Sequence, residues 1–331
     1  MMPREELRRW LSDPRAQNAT LDLFSEVSAE LKALPFVRGL RESLEALPQP
    51  RAADVLACAE RAMADEQGLA DLFSHLIGAA ATDPFFRPAL RSLSSPIHSG
   101  ILLVETPALL LFAAVMPADA LAAKRLGRDG ARSIVFPGHR SLYKFIRSGG
   151  ATFSFWEAPQ IEAGFTATAS SRCRMVERRR IEDGELLEID GRKHSFVIEH
   201  ATGDLFYLQA TVNVERAPVT VEYDSDTFEL VGASSTDEIS SRTQMMLAML
   251  RTMDRADAVP VMIEMLDNPH FYARWQAMRE LLALDAEAAL PHLQAMAEGD
   301  PHPEVRATAG ATLAACFPAD AEARQPEFEV N

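Results

Sequence analysis

The stretch at residues 184–211, GELLEIDGRKHSFVIEHATGDLFYLQAT, decides how the rest of the chain is read. It holds three runs of alternating apolar residues, 185–189, 195–200 and 204–212, parted by Asp190-Gly191 and Gly203-Asp204. Asp paired with Gly in a short gap between alternating runs is a hairpin signal. The stretch is therefore expected to form three short antiparallel strands, with His194 at the start of the second.

Outward from this stretch, the same rhythm extends in both directions. Strand-like runs fall at 101–105, 108–116, 133–136, 141–146, 151–156, 172–180, 219–223 and 228–231, with turn formers at Ser148-Gly149-Gly150 and Asp183-Gly184. Strands recurring every ~8–12 residues indicate an all-β sandwich or barrel. Only the alanine-rich residues 117–128 interrupt it with a helical pattern. Upstream, Leu21, Phe24, Val27, Leu31 and Leu34 recur at helical spacing after a cap expected at Asn18 or Thr20. Residues 52–63 and 68–77 are helical by the same period, and Asp83-Pro84 reads as a helix start. Downstream of Ser235 the period returns to 3.6. There Arg242, Arg274 and Arg306 lie 32 residues apart, and Asn268-Pro269-His270 matches Asp300-Pro301-His302. A repeat of this length in a helical region is the mark of a solenoid, in which each helix pair buries one face against the next.

The expected architecture is multidomain α+β: a helical N-terminal region (1–94), a β-barrel (95–234), helical repeats (235–317) and a disordered tail (318–331). The chain of 331 residues has a formal charge of −15, and from Thr236 onward 16 Asp and Glu stand against 7 Arg. Such a balance repels a phosphate backbone, so nucleic acid is not an expected partner. Cys58, Cys173 and Cys316 are odd in number and far apart, which fits a reducing cytoplasm better than a disulfide framework. The start MMPREELRRW lacks the apolar core of a signal peptide, and the apolar run 101–116 is broken by Glu105 and Pro107, so no membrane span is expected.

Two family resemblances follow from the quoted residues. Gly184, a strand, Gly191 and then His194 resemble the second motif of cupins, whose histidine binds a metal. The segment DPHPEVRATA at 300–309 resembles a HEAT repeat, in which the acid and the arginine bond along the stack. The cupin resemblance implies a jelly-roll barrel and a first motif just before Gly149. That motif's two histidine positions fall near Phe136 and Gly138, and its glutamate position near Leu142, with His139 between them. The turn lacks the family's proline, and Ile198 stands where asparagine is frequent.

Two readings of the site stay open. If strand alternation turns His194 and His200 inward, and His139 approaches from the facing sheet, three imidazoles would suit Fe, Zn or Ni. The chain would then be a metal-dependent enzyme, an oxygenase on a peptide or protein substrate. Alternatively, these histidines are hydrogen-bonded wall residues of a small-molecule pocket that takes in Glu177, Trp156 and Tyr207. The repeats would then present a surface to a protein partner in a regulatory or scaffold role, with a homodimer as one assembly. Along 172–180, Arg172, Arg174, Arg178 and Arg180 share a face, read either as a strip for an anion or acidic partner, or as a charged edge strand. His270 and His302 are assigned to the turns of the repeat, and His75 to structure.

Overall fold

A computed structural model describes residues 4–126, 133–162, 165 and 171–317; the tail expected to be disordered lies outside the described residues. The chain divides into two compact units. The first comprises 1–159, 171–216 and 222–229; the second comprises 160–170, 217–221 and 230–331.

The first unit begins with helices α1 (Arg4–Leu11), α2 (Pro14–Ala33), α3 (Pro35–Glu45), α4 (Ala52–Ala64) and α5 (Glu66–Thr82). The expected cap at Asn18 or Thr20 is corrected. Asp13 caps α2, its carboxylate accepting from Arg15 N at 2.9 Å and Ala16 N at 3.3 Å, with Pro14 in the first helical turn. Thr20 is instead a buried tie, donating to Asp83 at 2.5 Å. Asp83-Pro84 starts no helix. The Asp83 amide donates back to Ala79 O to end α5, and its carboxylate accepts from Phe85 N at 2.8 Å in a turn.

The strands are β1 (Ser92–Ser94), β2 (Ser99–Glu105), β3 (Leu109–Met116), β4 (Ser133–Phe136), β5 (Arg140–Arg147), β6 (Thr152–Glu157), β7 (Arg174–Arg180), β8 (Leu186–Asp190), β9 (His194–His200), β10 (Leu205–Val212), β11 (Val219–Asp224) and β12 (Leu230–Ser235). Helix α6 (Ala118–Leu126) lies between β3 and β4. One antiparallel sheet runs β1-β2-β3-β10-β5-β8, and a second runs β7-β6-β9. β4 lies beside β9, where Ser195 Oγ donates to Val135 O at 2.5 Å. Numbered along the chain from β3, the strands of the large sheet run 1-8-3-6, and with β4 beside β9 the facing layer runs 2-7-4-5, the jelly-roll order. The expected jelly-roll barrel is therefore present in the strand order.

Turn chemistry at the quoted motif closes the barrel. Gly149 and Gly150 take positive φ (60° and 63°), and a Cβ on Gly149 would lie 2.2 Å from Gly203 O. Asp183 clamps the same turn, accepting from Ser148 N and Ser148 Oγ, both at 2.7 Å.

Alternation along the large sheet divides two cores. Leu109, Leu111, Leu142, Leu208, Ala210 and Val212 face outward and pack against buried residues of the helices such as Leu40, Val55, Ala59 and Leu72. Phe145, Leu205 and Tyr207 face inward, against Phe153 and Phe155 of the smaller sheet. Lys144 lies on the same face of β5 as Leu142. It is buried, and its ammonium donates to Met63 O at 2.7 Å in the last turn of α4. A cation on a helix C-terminal carbonyl meets the negative end of the helix dipole.

The second unit holds α7 (Glu238–Thr252), α8 (Val259–Glu264), α9 (Phe271–Leu284), α10 (Ala286–Gly299) and α11 (Pro303–Cys316). Leu247, Met262, Met278, Leu281, Leu293 and Leu313 form its core. The arginine repeat has a clear physical basis. Arg274 Nε and Nη2 donate to the two Asp300 oxygens at 2.8 and 2.7 Å, while Nη1 reaches Asn268 O at 2.9 Å. One repeat on, Arg306 Nη1 donates to Asp300 O at 2.5 Å. Each arginine thus ties its own turn, and Asp300 links that turn to the arginine before it. Asn268 keeps the capping part, accepting from His270 N at 2.9 Å, as Asp300 does from His302 N at 2.8 Å. Among the described residues no helix is long and apolar enough to cross a membrane.

Candidate functional site

A half-open cavity of about 410 Å³ lies between the two sheets of the barrel. Its walls are Ile97, Met116, Phe145, Ile189, Phe196 and Ile198, and its polar groups are His98, Ser141, Tyr143, Ser195, Tyr207 and Gln209. The source of these groups is the pleat. Tyr143 and Phe145 alternate on β5, and Tyr207 and Gln209 on β10, which pairs with β5 as Tyr207↔Phe145 and Gln209↔Tyr143. Four rings meet there. Tyr143 stacks on Phe145 at 6.2 Å and meets Phe196 edge-on at 5.2 Å, and its centroid lies 6.2 Å from that of Tyr207.

The lining carries no Asp, Glu, Cys, Lys or Arg. Burial pushes the Tyr207 phenol up to about 12. Tyr143 is pushed higher still by burial and then by the Tyr207 phenol beside it, with the neighbouring Ser141 hydroxyl opposing. Ser141 Oγ is buried and has no hydrogen-bond partner among the described residues. Gln209 Nε2 donates to Thr211 Oγ1 at 3.1 Å, and His98 Nδ1 lies 2.8 Å from Ser95 Oγ.

Of the residues singled out in the sequence, Tyr207 lines this cavity. The three histidines do not converge. His194 and His200 stand at the two ends of β9, opposite Glu157 and Thr152, and six residue steps of strand separate them by ~20 Å. A bulge opposite Thr152/Phe153 shifts the register before His200, which is exposed. His139 sits just before β5, its carbonyl accepting from Gly191 N at 2.9 Å. Burial, then the Arg216 charge, lowers its pKa from 6.5 to about 4, against a hydrogen bond to Pro137. Among the described residues no three His, Cys, Asp or Glu form a group that could hold a metal. The donor set of the cavity, one histidine with hydroxyls and an amide, does not fit the Fe, Zn or Ni site that three imidazoles would make.

Trp156 and Glu177 also lie outside the cavity lining. Trp156 is buried against Phe228 and donates Nε1–H to Ser154 Oγ at 3.0 Å, on the face of β6 opposite Phe153 and Phe155. Glu177 is exposed on β7 and pairs with Arg179 at 3.6 Å. Arg179 in turn binds Glu185 at 2.7 Å and lies 5.0 Å over the Phe155 ring. In the arginine strip, Arg172 pairs with Glu229 at 2.5 Å and Arg174 with Glu157. Arg178 and Arg180 are exposed at the sheet edge.

In the second unit, Gln244, Tyr272, Trp275, Glu304 and Thr308 from α7, α9 and α11 line a groove of about 400 Å³. Tyr272 is fixed there by Ser235, whose Oγ lies 3.0 Å from the phenol oxygen.

Comparison with known proteins gives a profile match for HEAT repeats over residues 234–314. No curated protein matches the chain. Among solved structures, ectoine synthase from P. lautus is similar at 10% identity, covering 37% of this chain and 68% of that one, with a TM-score of 0.22. The polyketide cyclase RemF from Streptomyces resistomycificus is similar at 11% identity, covering 46% and 88%, with a TM-score of 0.25. A sugar phosphate isomerase of the cupin superfamily from Silicibacter pomeroyi is similar at 9% identity, covering 43% and 78%, with a TM-score of 0.23. At these TM-scores the likenesses carry no argument about function.

Proposed function

We propose that the chain is a binding protein with a regulatory or scaffold role, whose cupin-like barrel holds a small molecule and whose HEAT-like repeats dock a protein partner. The observation that carries this reading is the cavity of about 410 Å³ between the sheets, lined by aromatic and hydroxyl groups without a metal-ligand set. Its size falls in the range of small-molecule sites, roughly 300–1,000 Å³. For the repeats, the groove with Tyr272, Trp275 and Glu304 lies in a strongly acidic segment, so a partner segment bearing Lys or Arg is the complementary occupant.

The test uses untagged full-length protein, examined by native mass spectrometry and elemental analysis. The expected result is a small-molecule adduct, with metal far below one per chain and unchanged in His194→Ala. A metal at one per chain, lost in His139→Ala or His194→Ala, would overturn this reading in favour of a metal-dependent enzyme.

A further inference from the structure

Resting on the reading of the barrel as a small-molecule receptor, we propose that its ligand is an uncharged, flat molecule of one or two rings that carries a hydrogen-bond acceptor, a ketone in chemical class. Three observations point there. First, the lining contains no Asp, Glu, Lys or Arg. A cationic ligand would meet no carboxylate there and an anionic one only the His98 ring, and an unpaired ion in a low-dielectric interior is strongly disfavoured.

Second, Tyr143, Phe145, Phe196 and Tyr207 form a cluster of rings with stacked and edge-on geometries around the space. Aromatic walls in these orientations offer offset-stacked and edge contacts to a planar guest.

Third, three hydroxyls that can donate face the cavity beside the His98 ring and the Gln209 amide. Ser195 Oγ is committed to Val135 O, and Gln209 Nε2 to Thr211 Oγ1. Ser141 Oγ is buried with no hydrogen-bond partner among the described residues, and the Tyr143 and Tyr207 hydroxyls line the same space. Burial keeps both phenols protonated across the physiological range. A buried donor without an acceptor is costly, and a ligand carbonyl relieves that cost.

The experiment compares three two-ring probes on the full-length protein by isothermal titration: 1-tetralone, tetralin and 1-naphthoate. 1-Tetralone is expected to bind at least about tenfold more tightly than either of the others, the worth of a buried hydrogen bond. Its carbonyl infrared band is expected to move to lower frequency on binding. Tyr143→Phe should cost about tenfold for 1-tetralone and reverse the band shift, while leaving tetralin affinity unchanged. Tyr207→Phe provides the same readout on the neighbouring phenol. Tetralin or 1-naphthoate binding as tightly as 1-tetralone would overturn the assignment and leave the receptor reading standing. Failure of all three to bind would overturn both.

Discussion

At the residue scale, two polar groups, one half-buried and one buried, carry testable consequences. His139 is held neutral by burial and by Arg216, with a folded pKa of about 4 against 6.5. The unfolded chain takes up a proton below pH 6.5 while the folded chain does not until about 4. Stability is therefore expected to fall by roughly 3 kcal/mol as pH drops through that window, and to change no further from this group below it. Urea unfolding of wild type and His139→Gln at pH 7 and 5 checks this; an equal loss in both would remove His139 as the cause. Asp300 is the second group. Burial works against its ionised form, but the Arg274 fork and the His302 amide hold its pKa below the ordinary value. Its contribution is present above about pH 4 and lost on further acidification. Arg274→Ala strands Asp300 in the repeat core, where both partners are buried, and is expected to cost about 3–5 kcal/mol by denaturant unfolding. The 32-residue spacing of Arg274 and Arg306 is visible in the sequence because both restate the same tie to the carbonyl of their own turn. The site histidines could not be read so directly. Inward parity for His200 assumed a regular strand, whereas a bulge precedes it; His194 keeps the phase of Phe196 and Ile198, but both histidines sit at the ends of β9, outside the cavity lining.

At the element scale, the strands were legible because turn residues and period-2 alternation coincide. Gly149-Gly150, Asp183-Gly184 and Asp190-Gly191 all fall at strand ends, and ten of the eleven expected runs meet their strands within two residues at each end. The last run extends further, to Ser235, and the short β1 gave no pattern to read. The cavity wall was harder, since Ser141, Tyr143 and Gln209 match no chemical motif. A signal was nonetheless present: Tyr143 with Phe145, and Tyr207 with Gln209, alternate in phase on strands that the jelly-roll order places side by side. The docking of the helical layer onto the sheet is also local. Lys144 on β5 bonds the end of α4, and Lys144→Met is expected to lower stability by about 1.5–3 kcal/mol, the worth of a charged hydrogen bond. A change below about 0.5 kcal/mol by thermal unfolding would show that the tie is dispensable. Gly149→Ala should be worse for the barrel, because the new methyl would meet Gly203 O.

At the scale of the whole molecule, two units with different physics meet in one chain. The barrel offers a largely apolar cavity without Asp, Glu, Lys or Arg in its lining; the repeat unit offers an acidic surface with an aromatic groove. Labelled oligolysine is accordingly expected to bind the full-length protein more tightly than oligoglutamate by fluorescence anisotropy, and Glu304→Gln with Trp275→Ala should weaken it. Equal binding to the double variant would place the contact elsewhere. The central claim, however, is that the barrel interior receives a small molecule. Its most direct test is titration of the full-length protein with the neutral fluorophore 1-aminoanthracene, alongside Ile198→Trp, which fills the space between the sheets. The account predicts saturable one-to-one binding by the wild type and its loss in Ile198→Trp with circular dichroism unchanged. Undiminished binding by a folded Ile198→Trp variant would contradict it.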